Sequence, residues 1–305
     1  MKSTLKARLE NRLRKVKDWS SDDFPQQTEN LNEYLANQGE VGLACNDLFT
    51  LGMTEVKRSL ALSQMAQRTP ATQHLSSGFA RLIVAEAISI AILKNSKRFS
   101  VGNLDDATHL MLGAIATGRP SLVKPFYDTV LTAMQEGYGI RDGRDLPIGT
   151  TLRYAAFGLT IISRWLERPL DLDKHALPRD PAWGQLVAYW NEPALDNLLP
   201  VLINACDTHV ERSALNSREV NTTEFEFNSV FKAVYPTEIL AILRLRDLIG
   251  LPNPTWIDHP LMQSPYAALT CRPGMLTERD ELLQRFLMTA YQRDFQAVPP
   301  GLTAG

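Results

Sequence analysis

The sequence predicts an all-α protein: one large array of antiparallel helices, with at most a short minor strand. Three observations lead there. Apolar residues recur at helical spacing through most of the 305 residues. The breaks between periodic stretches fall on Pro and Gly, which punctuate helices. Only Thr222–Phe227, reading Thr-Thr-Glu-Phe-Glu-Phe, alternates with the two-residue period of a strand, and it has no obvious partner strand.

Composition narrows the class further. Hydrophobic residues make up 44% of the chain, and a chain of this size buries about three quarters of its extended surface. A core forms without disulfides or metals. The formal net charge of −2, from 32 basic and 34 acidic residues, lacks the basic footprint of a nucleic-acid binder. Cys45, Cys206 and Cys271 are isolated thiols, a usage that suits a reducing compartment and buried side chains. Seven Lys or Arg lie within the first 17 residues, but no apolar core follows as in a secretion signal. The most apolar run, Leu82–Leu93, is about half a bilayer span, and Glu86 interrupts it. These features predict a cytoplasmic protein without a membrane partner.

The elements follow in order. Leu5, Leu9, Leu13 and Val16 form one apolar stripe on a basic helix. It is expected to dock that face while Lys6, Arg8, Arg12 and Lys15 stay solvated. Ser20–Glu40 is polar and completes an N-terminal unit, 1–40. A helical domain, 41–296, then begins. Val41–Arg68 reads as a long helix stopped by Pro70. Leu75–Asn95 has almost no polar face after Arg81, so it is expected to be the central helix, with Ala85, Ala87 and Ala91 allowing close neighbours. Asn103 caps the next helix, whose first turn holds Asp105 and Asp106 where the helix dipole favours them.

Pro120–Gly137 is another helix. The clearest break, Tyr138–Gly149, packs three Gly, one Pro and four charges into twelve residues, and a subdivision of the domain would fall there. Further helices are expected across Thr150–Arg168, Pro181–Trp190, Pro193–Leu215, Glu224–Val234, Pro236–Ile249 and Thr277–Phe295. Pro200 should kink or delay the one it interrupts. The tail, 297–305, is expected to fray.

Tests for chemistry come out weak. Asp207 and His209 diverge on a helix, and Asp171, Asp173 and His175 alternate in a loop. Neither is the i, i+4 pair of a helical zinc site. Cys206 and His209 share a helix face, which would place a base near a thiol, but Cys206 sits in an apolar register that favours an inert side chain. Asp258 and His259 are adjacent. Gly137, Gly139 and Gly143 follow a helix, not a strand, so they lack the setting of a dinucleotide loop. No catalytic, metal or cofactor residue is assigned, and the chain is expected to bind rather than to catalyse.

Three segments carry a resemblance. They are GFARLIVAEAISIAILKN, DPAWGQLVAYW and Val234–Met262, which reads VYPTEILAILRLRDLIGLPNPTWIDHPLM. Their order resembles the large helical immunity proteins of bacterial polymorphic-toxin systems, above all immunity family forty-nine. The helical immunity proteins that neutralise PD-(D/E)xK nuclease toxins look similar. The resemblance covers roughly 75–265 and is a pattern of helices and punctuation. It implies a cytoplasmic protein that binds and blocks a cognate toxin domain, delivered by a contact-dependent machine such as the type VI secretion system.

A nuclease toxin would present a basic cleft, so acidic residues on the inhibitor would steer association. The residues this implies are Glu224, Glu226, Asp171, Asp173 and Asp258, with the loop Arg141, Asp142, Arg144 and Asp145 as an insertion. Phe225, Phe227 and Trp256 are the aromatic anchors it would use, although Trp256 reads more readily as core. Two rivals stand beside it: a helical scaffold binding a peptide or subunit, and an enzyme whose site is dispersed along the sequence.

Overall fold

The computed structural model describes residues 3–21, 28–96, 103–138, 151–214, 225–275 and 279–304. Among them are twelve α-helices and no sheet. They are α1 (Ser3–Ser21), α2 (Glu29–Leu35), α3 (Val41–Gln64), α4 (Arg68–Ser96), α5 (Leu104–Ala116), α6 (Val123–Met134), α7 (Arg153–Trp165), α8 (Pro181–Tyr189), α9 (Leu195–Glu211), α10 (Val230–Val234), α11 (Thr237–Leu248) and α12 (Glu281–Arg293). Of the expected strand, residues 222–224 lie outside the described ones, and among the described residues Phe227 forms one isolated bridge with Ser213.

The longest helices, α3 and α4, form an antiparallel hairpin. Its turn is only 65–67, with Ala66 in the left-handed region at φ 59°. Pro70 does not stop α3. It sits in the first turn of α4, where a missing N–H costs no helical bond. The two backbones nearly touch. A Cβ on Gly52 would lie 3.0 Å from the Gly78 carbonyl oxygen, and one on Gly78 would lie 2.9 Å from that of Gly52. At this crossing the close approach comes from glycines; of the alanines the sequence suggested, Ala85 and Ala87 are buried. Phe79, Ala80, Leu82, Ile83, Val84, Ala85, Ala87, Ile88 and Ile90 of α4 are all buried. By length and composition, Arg68–Leu93 could cross a membrane, and 67% of its apolar window is covered by the rest of the fold.

Helix α5 is more enclosed still, with every residue but Asp106 buried. Its N-cap is as expected: the Asn103 side chain accepts from the Asp105 and Asp106 amides. Asp105 is not a solvated first-turn acid. It is buried, and it accepts from the Thr151, Leu152 and Ala155 amides and from the Thr151 hydroxyl. It thereby caps α7, whose own cap residue, Leu152, stands at φ 58° and supplies no side-chain bond. One carboxylate thus closes a helix about fifty residues downstream.

Helix α1 packs on α3, α9 and α10. Leu9 and Val16 are buried as the stripe required, but so is Arg12, against the expectation that it stays solvated. Asp47 of α3 accepts from the Leu31 amide at the start of α2. Helix α9 runs from Leu195 through Pro200, so the proline does not delay its start. The tail does not fray across its described part: Val298 and Leu302 are buried, and the Tyr291 hydroxyl donates to the Leu302 carbonyl at 2.6 Å.

Two substitutions test this account. Gly78→Val drives a side chain into the α3 backbone and is expected to lower unfolding free energy by about 3 kcal/mol, read from urea denaturation. Asp105→Ala strands buried amides and should cost about 3 kcal/mol, with Asp105→Asn recovering part of the loss through its remaining oxygen. Wild-type stability in either variant would show that the contact carries no weight.

Candidate functional site

The structure scatters the sequence-predicted contact residues. Glu224, Arg141, Asp142, Arg144 and Asp145 lie outside the described residues. Asp171 and Asp173 are exposed. Asp171 accepts from the Asp173 and Lys174 amides and so shapes its own turn, and Asp173 pairs with Arg179 at 2.5 Å. Phe225 is half-buried, with the Arg8 guanidinium 5.9 Å from its ring centre. Phe227 is core, stacked on His209 at 4.0 Å.

Glu226 is a correction. Steering a toxin would need its carboxylate at the surface, but its side chain is 2% exposed. The Trp183 indole donates to it at 3.0 Å and Arg212 donates at 2.7 Å. Arg212 also pairs with Asp180, the N-cap of α8, at 2.6 Å. The group locks the end of α9 to the start of α8. Burial outweighs Arg212 and pushes the Glu226 carboxyl up to about 7.

Neither catalytic pair suggested by sequence forms. Cys206 is buried, which pushes its thiol up. His209 turns to Glu238, with Nδ1 and Oε1 2.7 Å apart and both side chains fully enclosed. His259 meets Asp207 at 3.3 Å and does not pair with its neighbour Asp258. Among the described residues, no three His, Cys, Asp or Glu side chains gather as a metal site requires.

What the fold does present is a stiff loop with an exposed aromatic. Trp256 is 62% exposed, the reverse of the core expectation. The loop is pinned from beneath by Arg246 of α11, whose side chain is fully buried. Arg246 donates to the carbonyls of Trp190 and Glu192 on one side, and to the Pro252 carbonyl and Asn253 Oδ1 on the other. The planar guanidinium suits this fan of acceptors. Asn253 in turn donates to the Leu243 carbonyl and to Asp247. The segments tied together carry exposed Tyr189, Leu248 and Ile249 as well as Trp256. Asp258, also exposed, has the amide of Gln263 as its partner. Of the residues suggested by sequence, Trp256 and Asp258 share this loop. Sequence reasoning missed Arg246, and the only signal available was a basic residue in an apolar helix before a Gly-Leu-Pro exit.

No family model matches the chain, and no curated protein or solved structure matches it.

The Glu226 shift has a pH consequence. A carboxyl whose folded value lies near 7, against 4.5 when free, binds its proton more tightly in the folded state. Its contribution is full below pH 4.5 and is lost as pH rises to about 7. Glu226→Gln cannot ionise and keeps an acceptor for Trp183. The wild-type melting temperature should therefore fall relative to Glu226→Gln between pH 5 and 8. A gap that stays constant across that range would contradict the assignment.

Proposed function

We propose that this protein is an immunity protein, which binds a cognate toxin domain in the cytoplasm and blocks it without any chemistry of its own. The observation that carries the reading is Trp256: a large aromatic side chain, mostly exposed, on a loop that a buried arginine holds rigid. Solvent-exposed tryptophans on preorganised backbone are the usual anchors of tight interfaces, because little entropy is lost when they dock. Leu248, Ile249 and Tyr189 are also exposed, on the segments that Arg246 ties to this loop. Asp258 supplies an acid that would pair with the basic cleft of a nuclease-type toxin and speed encounter. The order of helices and prolines from 75 to 265, similar to helical immunity families, supports the same reading.

The test is co-expression with the toxin domain encoded beside the gene. The wild-type chain should restore growth and co-elute with the toxin as an equimolar complex. Trp256→Ala should keep its melting temperature and weaken binding by about thirtyfold, roughly 2 kcal/mol. Failure of the wild-type chain to protect would sink the immunity reading. Full protection with unchanged affinity in Trp256→Ala would instead move the docking surface elsewhere.

A further inference from the structure

Glu86 is the only charged residue between Arg81 and Lys94, in the apolar stretch of α4. The helix does not need it, and a carboxylate in such a setting is costly unless something pairs with it. Its side chain is half-buried and reaches the lining of a half-open pocket of about 400 Å³ between α3, α4, α5 and the segment entering α10. That volume lies in the range of small-molecule sites. The apolar part of the lining includes Phe49 and Met53 from α3, Phe79 and Leu82 from α4, and Phe231 from α10. The Phe79 and Phe231 rings adjoin, with centres 5.8 Å apart.

The other polar groups on the lining are already engaged or uncharged. Asn103 caps α5 and Ser229 caps α10. Asn228 is exposed and neutral. Asp106 and Lys232 pair with each other at the mouth, where the Asp106 side chain is 49% exposed. His109 turns no open atom to the space, since its Nδ1 is sealed.

Glu86 is different. Its Oε1 accepts from the Tyr138 hydroxyl at 3.4 Å, which is long for such a bond. Its Oε2 has no hydrogen-bond partner among the described residues and, unlike His109 Nδ1, is not sealed from water. No cation among the described residues pairs with it. Burial, with Asp106 adding to it, raises the carboxyl above its ordinary range. The lining thus holds two carboxylates and one ammonium, and that ammonium is committed to Asp106. An anion would meet this excess of negative charge. A neutral ligand would cover Glu86 without compensating it.

We propose that this pocket binds a small amphipathic organic cation, an aryl- or alkylammonium, with Glu86 as its counter-ion and the phenylalanine wall against its apolar body. The rings favour such an occupant twice, by stacking on an aromatic body and by attracting the positive charge. The site is separate from the Trp256 loop and does not rest on the toxin-binding reading.

The experiment titrates the purified full chain with three molecules of nearly one shape, followed by ligand-observed NMR: 2-phenylethylammonium, 2-phenylethanol and 3-phenylpropanoate. The cation is expected to saturate a single site and to bind at least about tenfold more tightly than the alcohol, with the carboxylate weakest. N-acetyllysine amide, which carries the ammonium of a partner protein's lysine without the aromatic body, should bind at least about tenfold more weakly than 2-phenylethylammonium. Glu86→Gln keeps the shape and an acceptor for Tyr138, so it should bring the cation and the alcohol to within about twofold. Met53→Trp fills the pocket and should abolish binding, with a circular-dichroism melt to show that the chain is folded. No saturable binding of the cation, or no preference for it over the alcohol, in the wild-type chain would overturn the proposal without any variant having to fold. A preference that persists in Glu86→Gln would remove Glu86 as the counter-ion, and undiminished binding in folded Met53→Trp would remove the pocket as the site. Equal binding of the lysine amide would overturn the small-molecule ligand in favour of a protein side chain.

Discussion

The contact between Gly52 and Gly78 sets the geometry from which the other helices take their places. With no Cβ on either residue, the α3 and α4 backbones meet, and their dispersion contacts run through the main chain. That approach fixes the next residue, Phe79. Its ring lies where a side chain of Gly113 would be, since a Cβ there would stand 1.9 Å from Phe79 Cε1. Helix α5 is thereby seated on α4. The step repeats outward: a Cβ on Gly158 of α7 would meet Thr108 of α5 at 2.3 Å. Three successive crossings depend on a missing side chain, so a methyl group at any of them displaces every layer beyond it. The same placement of Phe79 sets its ring 6.1 Å from that of His109 on α5.

Much of this was legible in the sequence, for a local reason. Asn103, Asp180 and Ser229 cap the helices that follow them through contacts two or three residues away, so the residue type and the next few positions suffice to read them. Prolines 181 and 236 mark starts in the same way. The missed features are long-range. Asp105 looks like any first-turn acid until Thr151 arrives beside it. Glu226 sits in an alternating stretch whose parity predicts one face in and one out, yet Glu226 and Phe227 are both buried because Trp183 and Arg212 reach in from other helices. Trp256 reads as core by residue type alone. Gly250, Pro252 and Pro254 before it spell a stiff exposed loop, and that was the signal that could have outweighed residue type.

The buried ionisable side chains share one physical role. Asp105, Glu226 and Arg246 each bind segments that no helix connects directly, and each would be stranded if its segments separated. Breaking such a group costs far more than forming it gains. Their contribution is thus to select one arrangement over near alternatives rather than to deepen a stability that apolar burial already supplies. Trp256 is exposed without being loose for this reason: its loop is fixed by the desolvated guanidinium of Arg246 together with the Asn253 bonds to Leu243 and Asp247.

Helix α11 joins the buried His109 to the exposed Trp256 loop. Thr237, its first residue, lies 3.5 Å from His109 Nε2. Arg246, in its last turn, holds the Trp256 loop about 14 Å away at 1.5 Å per residue. Proximity along a rigid helix is not coupling, which needs an element with two arrangements that both sites bias. Helix α11 is buried along most of its length against α5, and the backbone around Thr237 and the turn beyond Arg246 are each hydrogen-bonded in place.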